Sequence, residues 1–115
     1  MGKTFRLRAD QIRRLIPGRG GCIAADSITC GGRRVGWMYR EQPHTDVDSG
    51  WRFFAGDEPQ AYVDDSSHFE IYDINTIANY DPDIIPLLDA PIGSAFGRDE
   101  GMGRLVSEAF LPPGE

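Results

Sequence analysis

No apolar run in this 115-residue chain reaches the length of a membrane span, because Asp, Arg or Pro interrupts every one. The N-terminus, MGKTFRLRADQIRRLIPG, is basic but has no apolar signal-peptide core and no small-residue cleavage site. Gly2 is not followed by the Ser or Thr of a myristoylation motif. A cytoplasmic protein without membrane contact is therefore expected. Cysteine is scarce, with only Cys22 and Cys30, and both are expected as thiols rather than a disulfide. Neither these cysteines nor His44 and His68 show CxxC or HxxxH spacing, so no zinc site is expected.

Motifs for chemistry are equally sparse. Gly18-Arg19-Gly20-Gly21 lacks a GK[ST] ending and opens no helix, so it reads as a connector and not a phosphate loop. Ser27 and Ser49 have no GxSxG turn around them. His44 sits in a polar loop beside Thr45 and Asp46 and reads as a surface residue. No DxDxDG loop with a distal Glu is present, and no cofactor is indicated.

What the chain does contain is a charge partition. Met1 to Arg52 carries ten Lys/Arg against five Asp/Glu, a balance of +5, and Phe53 to Glu115 carries two against thirteen, a balance of −11. The halves sum to the formal −6. A field of this sign steers basic partners and repels nucleic acid, so a protein partner is expected and a nucleic-acid partner is not. The length suits one domain with a real core, and oligomeric state stays open.

The pattern predicts an α+β fold: one domain over residues 1–115, with an antiparallel sheet of about four to six strands. Ala9–Ile16 reads as an amphipathic helix within a basic segment, 1–19, stopped by Pro17-Gly18. Cys22–Ile28 and Arg34–Glu41 read as a hairpin about Gly31-Gly32, with Val35, Trp37 and Tyr39 on one face. Trp51–Ala55, Phe69–Tyr72 and Ser94–Arg98 read as further strands. Asp73 and Asp81 sit where helix N-caps are wanted, with Pro82 at a first helical position and Pro86 forbidding one long helix. Residues 111–115 read as a frayed tail.

Two segments concentrate polar and aromatic groups: DSGWRFFAGDE, Asp48–Glu58, and IYDINTIANYDPDIIPLL, Ile71–Leu88. Strand alternation puts Trp51 and Phe53 on one face and Arg52 and Phe54 on the other. Arg52, near Asp48 and Asp57, reads either as a half-buried ion pair or as an exposed binding anchor. Asp57, Glu58 and Asp73 are the carboxylates on which a small metal-dependent hydrolase would rely.

Together with GGCIAADSI (Gly20–Ile28), VGWMYRE (Val35–Glu41) and PIGSAFGR (Pro91–Arg98), these segments resemble the bacterial DUF2185 family, also described as the Imm33-type immunity-protein domain. The resemblance covers residues 20–100. It implies an α+β domain and a non-enzymatic immunity protein that binds and blocks a toxin, with no catalytic role for the matching residues. Those residues are Asp48, Gly50, Trp51, Arg52, Phe53, Gly56, Asp57, Glu58, Tyr72, Asp73, Asn75, Thr76, Asn79, Tyr80, Asp81 and Pro82. Of these, Asp48, Trp51, Arg52, Asp57, Glu58, Asp73, Asn75, Asn79, Tyr80 and Asp81 are the partner-binding candidates, opposite a basic toxin domain. The other readings are a housekeeping interaction protein, whose motifs only specify the fold, and the hydrolase.

Overall fold

The run DSGWRFF at Asp48–Phe54, small residues followed by aromatics around Arg52, builds the central strand of the molecule, β3, which is buried along nearly its whole length. A computed structural model describes residues 3–108; the sequence-predicted tail at 111–115 lies outside them. The strands are β1 Gly21–Ala25, β2 Trp37–Arg40, β3, β4 Phe69–Asp73, β5 Ala95–Arg98 and β6 Leu105–Glu108. They form one six-stranded sheet in the order β4-β1-β3-β2-β5-β6. All neighbours are antiparallel except β1 and β3, which run parallel with a register shift between Gly21 and Ile23. The expected single α+β domain is present, its sheet mixed by that one pair.

The hairpin about Gly31-Gly32 is not formed. After β1 the chain enters a one-turn helix, α1 Asp26–Thr29, and β3 separates β1 from β2. The two glycines close α1 instead: Gly31 N–H bonds to Asp26 O at 2.9 Å and Gly32 N–H to Ile28 O at 2.9 Å. Gly32 has φ +72°, the left-handed geometry of a helix C-terminus. A Gly-Gly pair signals both a turn and a helix stop, and tertiary placement chose the second.

The amphipathic helix expected at Ala9–Ile16 also shrinks, to a 3-10 turn at Ala9–Gln11. Residues 12–16 form no helix. The Asn75 and Asn79 side chains take up main-chain groups of this segment, which offers its backbone an alternative to helical bonding. Ile16 still docks in the core, while Leu15 stays exposed.

A second one-turn helix, α2 Gln60–Val63, follows β3, and one face of the sheet is covered by α3 Ile74–Tyr80 and a 3-10 stretch, Pro82–Leu87. Asp73 caps α3 through Asn75 N–H and Asp81 caps the 3-10 stretch through Asp83 N–H, as the sequence predicts. Ile74, Ile77, Ala78, Ile84 and Leu88 pack there against Ala24, Ile28, Met38, Trp51 and Phe53. Full burial of side chains such as Trp51 and Phe53 stabilises the fold by about 1.5–3 kcal/mol each. On β2 it is Met38 that enters this core, whereas Trp37 and Tyr39 lie half-buried on the opposite face. There Tyr39 stacks on Phe54 with centroids 6.0 Å apart, and Phe69 meets Phe54 edge-on at 5.6 Å. Both sides of β3 are thus covered, and a charged residue on that strand must be paired inside.

Candidate functional site

Arg52 is 3% exposed and sits on the Tyr39–Phe54 side of the sheet. Its Nη1 and Nη2 donate to the two Asp48 carboxylate oxygens at 3.0 and 2.8 Å, its Nε donates to Glu41 Oε2 at 2.6 Å, and Nη1 also reaches Trp51 O. Asp48 accepts in addition from His44 N–H and Gly50 N–H. The bidentate Arg52 contact first, and these N–H groups with it, hold the Asp48 carboxyl far below the usual carboxylate range. Of the two readings open for Arg52, an inward ion pair is what the geometry contains. Trp51 is buried too, its indole N–H donating to Leu88 O at 3.2 Å and its ring stacked on Phe53.

The second segment works mainly inward. Asn75 Oδ1 accepts from Leu15 and Ile16 N–H, and Asn75 Nδ2 donates to Arg13 O. Asn79 accepts from Arg13 N–H, and the Tyr80 hydroxyl accepts from Leu7 N–H. Asp81, 3% exposed, accepts from Val35 N–H at 2.9 Å and from Arg98 Nη2 at 2.5 Å. Glu58 closes the turn after β3, accepting from Ser27 Oγ, Ala55 N–H and Gly56 N–H. Asp57 and Asp73 are the candidates open to solvent: Asp57 pairs with Arg33 at 3.0 Å, and Asp73 caps α3.

The three carboxylates of the hydrolase reading are therefore each engaged by a different set of partners. Among the described residues no group of three or more His, Cys, Asp or Glu is placed to hold a metal ion. Every buried side-chain polar atom has a partner among the described residues. No described helix is long and apolar enough to cross a membrane.

Two surface clefts lie among the described residues. One, of about 460 Å³, is lined by Arg33, Arg34, Arg98, Asp57 and Glu100 with main chain of Gly36 and Gly56. Its arginines are already matched: Arg33 to Asp57, Arg34 to Asp83 and Arg98 to Asp81 and Asp83. The Arg98 and Arg34 contacts lower the Asp83 carboxyl below its ordinary value. The second cleft, of about 270 Å³, is apolar and lies between β1, β4 and the loop before β3, with Ile23, Val47 and Ile71 in its wall.

Sequence reasoning missed this second cleft. The signal was present: Val47 is a lone aliphatic residue between Asp46 and Asp48, and Ile71 sits in a short strand between Glu70 and Tyr72. It also missed Glu41 as a partner of Arg52, and the Arg98–Asp81–Asp83 cluster, both of which join residues far apart in sequence.

No curated protein and no solved structure matches the chain. A family model, the immunity protein Imm33 domain, matches residues 22–107, from within β1 into β6. That span takes in nearly all of the sheet together with Arg52 and its partners, and the chain belongs to the Imm33 immunity-protein domain family.

Proposed function

We propose that this protein neutralises a toxin domain by direct, non-enzymatic contact, presenting an acidic surface to a basic partner. The observation that carries the reading is the family membership over residues 22–107. The distribution of carboxylates supports it. Asp57, Asp64, Asp65, Glu70, Asp73 and Glu100 are all exposed and all fall in the half whose balance is −11. Such a field speeds encounter with a cationic surface and discourages nucleic acid.

Within this reading the candidate residues divide by reach. Asp57 and Asp73 stand where a partner can touch them. Trp51, Arg52, Asn75 and Asp81 act from beneath, holding β3, the N-terminal segment and β5 in the geometry that presents the acids. The burial of Trp51 and Arg52 also favours the housekeeping alternative, in which the motifs describe packing. Asp73 and Asn79 are not bonded to either of them, so the motif is not one closed cluster.

The test is co-expression with the toxin encoded beside the gene, read as growth rescue, together with co-purification of the two chains. Rescue with a stable complex is expected. Growth arrest in the presence of folded protein, with no complex recovered, sinks the proposal.

A further inference from the structure

Ile71 and Val47 are the most exposed large hydrophobic residues described, at 78% and 75%. They flank the apolar cleft of about 270 Å³, which Ile23, His44 and Asp48 also line. Isolated exposed aliphatics are ordinary on a protein surface, but two of them framing one cleft are not scattered. The cleft is also held open by construction. Val47 O accepts Gly21 N–H at 2.7 Å, which pins the loop against β1 with the Val47 side chain outward.

One wall of the cleft, Ile71, belongs to an edge strand. Among the described residues β4 is the last strand of the sheet on its side, paired only with β1. Ile74 N–H donates to Gly20 O, so residues facing β1 alternate back through Tyr72 and Glu70. The main-chain groups of Phe69, Ile71 and Asp73 then point away from the sheet, and no loop or helix hydrogen bond reaches Ile71 among the described residues. Proteins usually blunt such an edge with charge. Here Glu70 and Asp73 are exposed beside Ile71, yet the centre of the strand is aliphatic.

The edge carries charge of one sign around an apolar centre. Asp46 precedes Val47, and Asp73 lies two residues from Ile71 on the same face, opposite Gly21. Lys3 is the neighbouring cation and is already bound to Asp26 and Glu70. At about 270 Å³ the cleft falls below the roughly 300–1,000 Å³ usual for small-molecule sites. It suits the anchoring side chain of an added strand.

We infer that the free edge of β4 receives an extended segment of the toxin partner, which adds to the sheet as a seventh strand, packs one aliphatic side chain against Ile71 at the outer wall of the cleft, and sets flanking Lys or Arg against Glu70 and Asp73. This rests on the toxin-binding reading and assigns it a surface. A second copy of the chain fits the edge less well, because pairing would bring together the acidic rims of two molecules of net charge −6.

The first arm of the test uses a defined probe, acetyl-Lys-Val-Lys-Leu-Lys-amide, titrated into the full-length protein with amide NMR as readout. Shifts confined to residues 21–23, 45–48 and 69–73 are expected, at least tenfold weaker for the Glu-Val-Glu-Leu-Glu counterpart and for Ile71→Lys protein. Ile71→Lys sits at an exposed position, and an unchanged melting temperature shows that it still folds. Shifts elsewhere, equal response to both peptides, or no response overturns the assignment. So does a dimer in sedimentation that Ile71→Lys abolishes, since that gives the edge to a second copy. The second arm measures affinity for the toxin encoded beside the gene. A loss of tenfold or more in Ile71→Lys is expected. Unchanged affinity overturns the docking surface while leaving toxin neutralisation standing. Peptide capture at β4 by a protein that binds no toxin leaves the strand-acceptor edge standing, overturns the toxin as its occupant, and removes the immunity function.

Discussion

Arg52 grips Asp48 through both carboxylate oxygens, at 3.0 and 2.8 Å, from four residues along the same strand. Both side chains are largely buried, with 3% and 12% of their surface exposed. Removing one partner from a buried pair leaves the other charged and unsolvated, which costs about 3–5 kcal/mol. Asp48→Ala is expected to lie at the low end of that range, because the half-buried Glu41 still holds Arg52. Arg52→Ala strands Asp48 and removes packing as well, so it is expected at the high end. Urea unfolding of the two variants at pH 7 measures both.

The same pair sets the response to acid. Asp48 has its carboxyl pKa lowered in the folded protein, chiefly by Arg52. A lowered folded pKa means that the stabilisation is present in full above the unfolded carboxylate value, about 3.9, and is lost as pH falls through and below it. Asp83, lowered by Arg98 and Arg34, adds in the same direction. Unfolding free energy is expected to stay level near neutrality and to decline from about pH 5 downward. Asp48→Asn is expected to flatten that decline, seen as a smaller difference between urea midpoints at pH 7 and pH 3.5.

Asn75 decides where the N-terminal segment lies. Its amide takes two main-chain N–H groups and gives one bond to Arg13 O. Asn75→Ala leaves those groups without their partner and is expected to cost about 1–3 kcal/mol. Hydrogen exchange separates this from a global effect. The Leu15 and Ile16 amides are expected to exchange faster, while those of β3 keep their protection.

This contact explains why part of the fold could be read from the sequence and part could not. The caps at Asp73 and Asp81, the strands at Trp51–Phe54 and Ala95–Arg98, and the broken turn at Pro86 follow from local rules, and those rules prevailed. The segment 9–16 has helical periodicity, but the asparagines that unwind it lie some sixty residues away. The order β1-β3-β2 is likewise invisible locally, since Gly31-Gly32 serves a helix end as well as a hairpin. At the site, composition showed acids, an arginine and aromatics together, but facing is a tertiary property. Strand alternation put Arg52 opposite the Trp51 side, and only the cover over both faces of β3 turned it into an interior residue.

Gly50 offers a test of backbone geometry in the middle of the motif. Its φ is +92°, and a Cβ there would lie 2.2 Å from the main-chain O of Glu41, the residue just after β2 that is the second partner of Arg52. Gly50→Ala is expected to destabilise by about 1–3 kcal/mol through backbone strain. It is also expected to push Glu41 away, so that the acid-induced loss begins from a lower starting stability. Paired denaturation curves at pH 7 and pH 3.5 report both effects.

Thiol reactivity distinguishes the two cysteines by burial. Cys22 is 1% exposed in the core beside Ala24, and burial pushes its thiol pKa far above the ordinary value, so little thiolate forms at neutral pH. Cys30 is half-buried at the end of α1. An aromatic disulfide reagent at pH 8 is expected to label one thiol per native chain, assigned to Cys30 by its loss in Cys30→Ser, and the second only after denaturation. If β4 opens by local unfolding, Cys22 labels at the rate of that opening. Occupation of the edge by the basic pentapeptide is then expected to slow Cys22 labelling and leave Cys30 unchanged. Labelling of Cys22 that is as fast as that of Cys30 in the native protein contradicts the burial of Cys22 in the core under β4.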